Sequence, residues 1–308
     1  MITLLFRRIE RKYTKKPPCH TGRFYVIIIC KDKIKEPESS MKAGTSTACL
    51  YPELLEKALA ELMENGIKTA EIFVNTHCEV MPEFTEMLAD IISRNGAECA
   101  AYHPYTCPIE PMMFFSGYDR RVKDMLDYHK YYFEAMNRLG ARIFVLHGNM
   151  NVVAVNEDFY FEIFSELADA AASFGITVAQ ENVARCQSHS LDFMKHMSEA
   201  LGDRAKFVLD IKQAVRAHED PFEIARALGN RIIHVHMSDN SASSDCLAPG
   251  TGTFDIYGLL KELYLRGFDG AVITELYRNN FGSVSDLINS CRYIENIIKR
   301  IESEKIKL

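Results

Sequence analysis

Four apolar segments of this chain each end on a side chain that can hold a metal ion. Segment 176–182 carries Glu181 near its end, 206–210 ends on Asp210, 231–236 on His236 and 270–275 on Glu275. Successive end residues stand 29, 26 and 39 positions apart. A strand, a helix and two loops need roughly 30 residues. The spacing therefore predicts one βα unit used repeatedly, with a polar group delivered at the same end of each strand.

The same rhythm extends upstream. Apolar runs at 42–46, 69–74, 98–102 and 142–146 predict four earlier strands, the last two delivering His103 and His147. Helical spacing predicts helices over 51–65, 82–95, 119–139, 157–174, 190–201, 255–266 and 284–302, and one opening at Asp220-Pro221. Leu54, Leu55, Ala58, Leu59 and Leu62 share a face of the first, and Leu287, Cys291, Ile294, Ile298 and Ile301 a face of the last. Eight strands alternating with eight helices predict an α/β fold, the (β/α)8 TIM barrel, as one domain over 41–308 with its active site at the C-terminal strand ends. Two segments interrupt the rhythm. Segment 104–118 holds three prolines and the run Met112-Met113-Phe114-Phe115, and is expected to fold over a pocket. Segment 237–254 is rich in Ser, Asp, Pro and Gly.

Residues 1–40 do not fit the repeat. They hold ten Lys or Arg against four Asp or Glu, whereas the remainder holds 26 against 38. Their basic stretch is too long and their apolar run too short for a secretory leader. They read as an N-terminal extension outside the barrel, with Met41 as an alternative native start. The acidic body argues against a nucleic-acid partner. No apolar run reaches the roughly 20 residues of a membrane span. Nine scattered cysteines without a CxxC pair point to a reducing, cytoplasmic setting rather than a disulfide framework.

Two Glu, one Asp and one His form an oxygen-rich set with a single imidazole. This suits one divalent ion, Mn²⁺ first, with Mg²⁺, Co²⁺ or Zn²⁺ as alternatives. Each residue alone has a mundane reading as a loop partner or pocket histidine; four at one register are harder to explain so. The motifs His103-Pro104-Tyr105, Leu146-His147-Gly148, Glu181-Asn182, Leu209-Asp210, His236-Met237-Ser238-Asp239, Pro249-Gly250-Thr251-Gly252 and Thr274-Glu275 together resemble the xylose isomerase-like barrel superfamily. That group contains sugar isomerases and epimerases as well as endonuclease IV-type nucleases. The resemblance covers about 41–302 and implies that Glu181, Asp210, His236 and Glu275 bind one metal. It departs at Gln213, where many members carry a His; Gln hydrogen-bonds a hydroxyl but ligates metal poorly. His103 and His147 match positions that hold a second zinc in the nucleases and line the substrate pocket in the sugar enzymes; the pocket role is preferred here.

The resemblance implies a small-molecule sugar or sugar phosphate as substrate. Glu181 and Glu275 are expected as the acid and base of proton transfer through a metal-stabilised cis-enediolate, giving epimerisation or aldose–ketose isomerisation. His103, His147, Arg185 and Gln213 are expected to bind substrate, with a surface ion pair as the other reading of Arg185. Asp239 is expected to orient His236 or its loop, and the Gly250 and Gly252 N–H groups either make a turn or hold a phosphate. The alternatives are a metal-dependent phosphodiesterase of the endonuclease IV type and a non-catalytic sugar-binding barrel; homo-oligomerisation is left open. Deletion of residues 1–40 is expected to leave a soluble protein by size-exclusion chromatography, and aggregation of the shortened chain would show the segment to be structural.

Overall fold

The computed structural model describes residues 41–305; the expectations for 1–40 and for the boundary at its end lie outside them. Eight parallel strands close into a barrel: β1 (Lys42–Ser46), β2 (Thr69–Phe73), β3 (Glu98–His103), β4 (Ile143–Leu146), β5 (Thr177–Glu181), β6 (Phe207–Asp210), β7 (Ile232–Met237) and β8 (Ala271–Thr274), with β8 pairing back onto β1. The enclosing helices are α1 (Leu55–Glu64), α2 (Pro82–Arg94), α3 (Asp119–Leu139), α4 (Glu157–Ala172), α5 (Leu191–Leu201), α6 (Pro221–Leu228), α7 (Ile256–Leu265) and α8 (Val284–Lys305). The barrel expected from the alternation is the barrel observed. Among the described residues no helix is long and apolar enough to cross a membrane.

Strand alternation sorts the side chains into two environments. Val235 and Met237 of β7 join the large core between strands and helices, with Phe144, Leu146, Val178, Phe207, Leu209 and Val272. Ala101, Val145, Ala179 and Val208 form a separate small cluster. Residues two apart on one strand share a face, so His234 and His236 point together into the barrel. On α8, Leu287, Cys291, Ile294, Ile298 and Ile301 are all buried, as their spacing predicts. Each Leu or Ile buried this way contributes about 1.5–3 kcal/mol.

Three local expectations need correction. Helix α1 begins at Leu55 rather than 51, because a 3-10 turn at Thr47–Leu50, capped by Ser46, comes first and Tyr51 and Leu54 have extended ψ angles of 134° and 138°. The aromatic run in 104–118 does not cover the pocket. A short helix, Glu110–Phe114, turns Phe114 and Phe115 into the core, where Phe115 stacks on Tyr160 at 4.6 Å. Pro104, Tyr105, Cys107 and Pro108 line the pocket instead. The segment 237–254 contains an antiparallel hairpin, Asp239–Ser241 with Ser244–Leu247. Buried Asp239 accepts the N–H groups of Gly250 and Gly252 on Oδ2, at 3.0 and 2.9 Å, and those of Asn240 and Phe254 on Oδ1. The two glycine N–H groups are thereby spent on the loop, so the phosphate-holding reading fails and Asp239 orients the loop.

One glycine is demanded by the barrel mouth. Gly148 follows β4 at φ +78, and a Cβ there would lie 1.7 Å from the Tyr160 hydroxyl. That hydroxyl donates to Gln180 Oε1 at 2.7 Å, and Gln180 Nε2 donates to the Leu146, His147 and Glu181 carbonyls. The knot ties the end of β4 to the end of β5, and so His147 to Glu181. Gly148→Ala is expected to destabilise the protein by about 2 kcal/mol or more, measured by urea denaturation; a cost below about 0.5 kcal/mol would show the knot to be slack.

Candidate metal centre

The strand ends β5, β6, β7 and β8 bring Glu181, Asp210, His236 and Glu275 together, with one ligand atom from each inside a 4.8 Å span. His236 Nδ1 is 3.4 Å from Glu181 Oε1, 3.7 Å from Asp210 Oδ2 and 3.2 Å from Glu275 Oε2. Glu181, Asp210 and His236 are buried. Three carboxylates crowding one imidazole face repel one another unless a cation lies among them. Three oxygens and one nitrogen fit a hard or borderline divalent ion.

Glu71, which sequence reasoning passed over, decides which nitrogen of His236 faces that cluster. Its Oε2 accepts from His236 Nε2 at 2.8 Å and His234 Nε2 at 3.0 Å, and its Oε1 accepts from Ser46 Oγ at 3.2 Å. With Nε2–H committed to a carboxylate, Nδ1 is the nitrogen turned to the carboxylate side, the one that an ion there would take, as in a carboxylate–histidine–metal triad. Burial alone would push the Glu71 carboxyl up. His236 and His234 overcome that and hold it well below the usual carboxylate range. The signal was present: a charged residue sits inside an otherwise apolar strand.

Lys212, also missed, is buried beside the cluster. Its Nζ donates to Asp210 Oδ2 at 2.6 Å and Glu275 Oε2 at 2.9 Å, and lies 5.6 Å from the Tyr277 ring centre. An unpredicted helix, Ile211–Arg216, carries it; Asp210 Oδ1 caps that helix on Gln213 N–H at 2.9 Å. Asn182 makes a reciprocal pair with the Asp210 backbone, at 2.7 and 3.0 Å, which joins β5 to β6. Burial would raise the Glu275 carboxyl, but Lys212 and His236 hold it well below its ordinary range.

The remaining site candidates line a cavity of about 500 Å³ above the cluster: His103, His147, Arg185 and Gln213, together with Lys212, and with Glu181 and Glu275 on its floor. His103 Nε2 lies 2.8 Å from His147 Nε2, and its ring stacks on Phe73 at 4.4 Å. Glu181 Oε2 is 3.0 Å from His147 Nε2 and 3.9 Å from His103 Nε2, yet neither contact is aligned as a hydrogen bond, and this oxygen is buried without a donor. Burial would lower the His147 imidazole, but Cys107 and Glu181 push it up to about 9. His103, Cys107 and His147 form a second group close enough to share an ion. Glu71→Gln is expected to weaken Mn²⁺ binding by roughly 10–100-fold with the far-UV circular dichroism unchanged; an unaltered affinity in a titration would show that Glu71 does not orient His236.

A family described as "Xylose isomerase-like TIM barrel" matches residues 59–297. The 3-dehydroshikimate dehydratase of Pseudomonas aeruginosa is 24% identical over 278 residues; the match spans 84% of this chain but 41% of the dehydratase. Among solved structures, a D-tagatose 3-epimerase-like protein superposes with a TM-score of 0.71 at 20% identity, over 86% of this chain and 99% of that one. D-Psicose 3-epimerase, solved in the presence of D-fructose, superposes with a TM-score of 0.68 at 14% identity, over 84% and 97%. With the strand-end residues on one barrel mouth and the family match over most of its length, the chain belongs to the xylose isomerase-like TIM barrel family.

Proposed function

We propose that this chain is a divalent-metal-dependent isomerase or epimerase acting on a sugar or sugar phosphate. One observation carries the reading. Glu181 and Glu275 each turn one oxygen toward His236 Nδ1, at 3.4 and 3.2 Å, beneath a cavity of about 500 Å³. That volume suits a small polyol. The likeness to sugar epimerases supports the same reading.

Glu181, Asp210, His236 and Glu275 would hold the ion, Mn²⁺ first, whose contribution is Lewis acidity toward a carbonyl oxygen. The protein supplies the proton transfers. Glu181 and Glu275 stand on β5 and just after β8, with β6 and β7 between them in the ring, so they approach a bound ketose from different sides. One carboxylate takes the proton from the carbon next to the carbonyl; the electron pair of that C–H bond becomes the C=C bond of the enediolate, and the carbonyl π pair moves onto its oxygen. The other returns a proton to the opposite face, which inverts the centre. Return to the neighbouring carbon, with the hydroxyl proton passing from one oxygen to the other, interconverts aldose and ketose. His103 and His147, stacked edge to face at 4.6 Å, border the cavity on the Glu181 side and are assigned to substrate hydroxyls.

A second reading shares the first step. The dehydratase relative favours loss of a β-hydroxyl after proton removal, in place of proton return. A panel of ketoses in D₂O separates the two: epimerisation places deuterium in an inverted product, and dehydration yields an ultraviolet-absorbing enone. Glu181→Gln and Glu275→Gln are each expected to lower turnover at least about 10³-fold with the fold retained. Full activity in either variant would remove the two-carboxylate mechanism.

A further inference from the structure

One wall of the cavity offers hydrogen-bond donors and no free acceptor. It consists of Arg185 from the loop after β5 and of Lys212 and Gln213 from the helix after β6. The two loops are joined, because Gln213 Oε1 accepts the Ala184 N–H at 3.0 Å. That bond turns the Gln213 amide oxygen to the backbone and leaves its Nε2 hydrogens without a protein partner among the described residues. Lys212 places two of its three N–H groups on Asp210 and Glu275, which leaves one donor. The exposed Arg185 guanidinium makes no ion pair or hydrogen bond among the described residues, although its backbone is pinned by Asn151 N–H on its carbonyl at 2.9 Å and by the Met150–Cys186 bridge. The surface ion pair that would explain Arg185 as an ordinary solvated residue is therefore not formed.

Fixed charges point the same way. The acidic side chains lining the cavity, Glu181 and Glu275, both belong to the metal cluster, and Asp210 lies beneath them. A divalent ion together with Lys212 balances these three carboxylates. The Arg185 charge then remains uncompensated at the mouth, and desolvating an unpaired cation is costly without an anionic partner.

Resting on the reading of the site as one for a sugar or sugar phosphate, we infer that the substrate carries an anionic oxyacid group, a carboxylate or a phosphate, held by Arg185, the Gln213 amide and Lys212. A guanidinium presents paired N–H donors that match the spacing of carboxylate or phosphate oxygens. A neutral sugar could accept hydrogen bonds from that wall through its hydroxyls but would leave the Arg185 charge without a counter-charge.

Calorimetry on the Mn²⁺-loaded full chain tests this without turnover, with D-fructose, D-fructose 6-phosphate, 5-keto-D-gluconate and inorganic phosphate as probes. At least one anionic ketose is expected to bind about tenfold or more tighter than D-fructose; which one does so tells carboxylate from phosphate. Arg185→Gln is expected to bring that ratio toward one while Mn²⁺ affinity stays unchanged, and Arg185→Lys to restore part of it. Equal affinity for D-fructose and both anionic ketoses overturns the inference, as does a ratio that survives Arg185→Gln, or failure of all three anionic probes to bind. A chain that prefers an anionic ketose yet exchanges no C–H deuterium upholds this inference and defeats the proposed reaction. One that epimerises D-fructose without anion preference does the reverse.

Discussion

Buried carboxylates of like charge cannot be gathered without a cation, and much of this barrel mouth answers that requirement. Two unit charges 4 Å apart repel by about 4 kcal/mol at an effective dielectric constant of 20. Glu181, Asp210 and Glu275 sit closer to one another than solvent could screen. The protein meets part of the demand with its own groups: Lys212 bridges Asp210 and Glu275, and His236 faces all three. A divalent ion would supply the rest. Glu71 lies on the far side of His236, fixes the ring through its Nε2–H, and takes His234 into the same buried network.

The barrel turns these local demands into a site through register. Asp210 stands beside His236, and His236 beside Ile273, in the parallel ladder. Neighbouring strands lie under 5 Å apart, so residues paired across the ladder are in contact range with no loop required. Asn182 on the Asp210 backbone and Gln180 on three carbonyls lock the ends of β4, β5 and β6. The polar side chains just below the mouth are thus structural, and those at the mouth are free to do chemistry. The mouth of the barrel has a hydrogen-bonded frame beneath it, which fixes the strand ends that carry Glu181 and Asp210.

The cavity is polar in an ordered way. Its floor is carboxylate, the wall from the β5 and β6 loops is donor-only, and the wall near β3 and β4 carries His103 and His147 with Tyr105 and Cys107. A ligand with a carbonyl for the floor, hydroxyls for the imidazoles and an anionic group for the donor wall would be fixed in one orientation. A carbonyl carbon held in one orientation over two carboxylates is what a stereospecific proton transfer requires.

Periodicity in the chain determined the barrel, the order of its units and the mouth at which Glu181, Asp210, His236 and Glu275 meet, because a period of two within strands and a recurrence of about 30 residues between them leave one economical closure. It did not reveal Glu71 or Lys212. A carboxylate within an apolar strand and a lysine after a strand end have many ordinary uses; Glu71 meets His236 165 residues away, and Lys212 joins its near neighbour Asp210 to Glu275, 63 residues away. Phe114 and Phe115 had the composition of a lid and became core, because a single helical turn in 104–118 aimed them inward. The glycines at 250 and 252 had the composition of a phosphate loop and became ligands of Asp239. Residue type was legible along the chain in each case, whereas the partners of Glu71 and Lys212 across the ring are long-range choices that only closure of the barrel makes, and those of Gly250 and Gly252 are set by the fold of one loop.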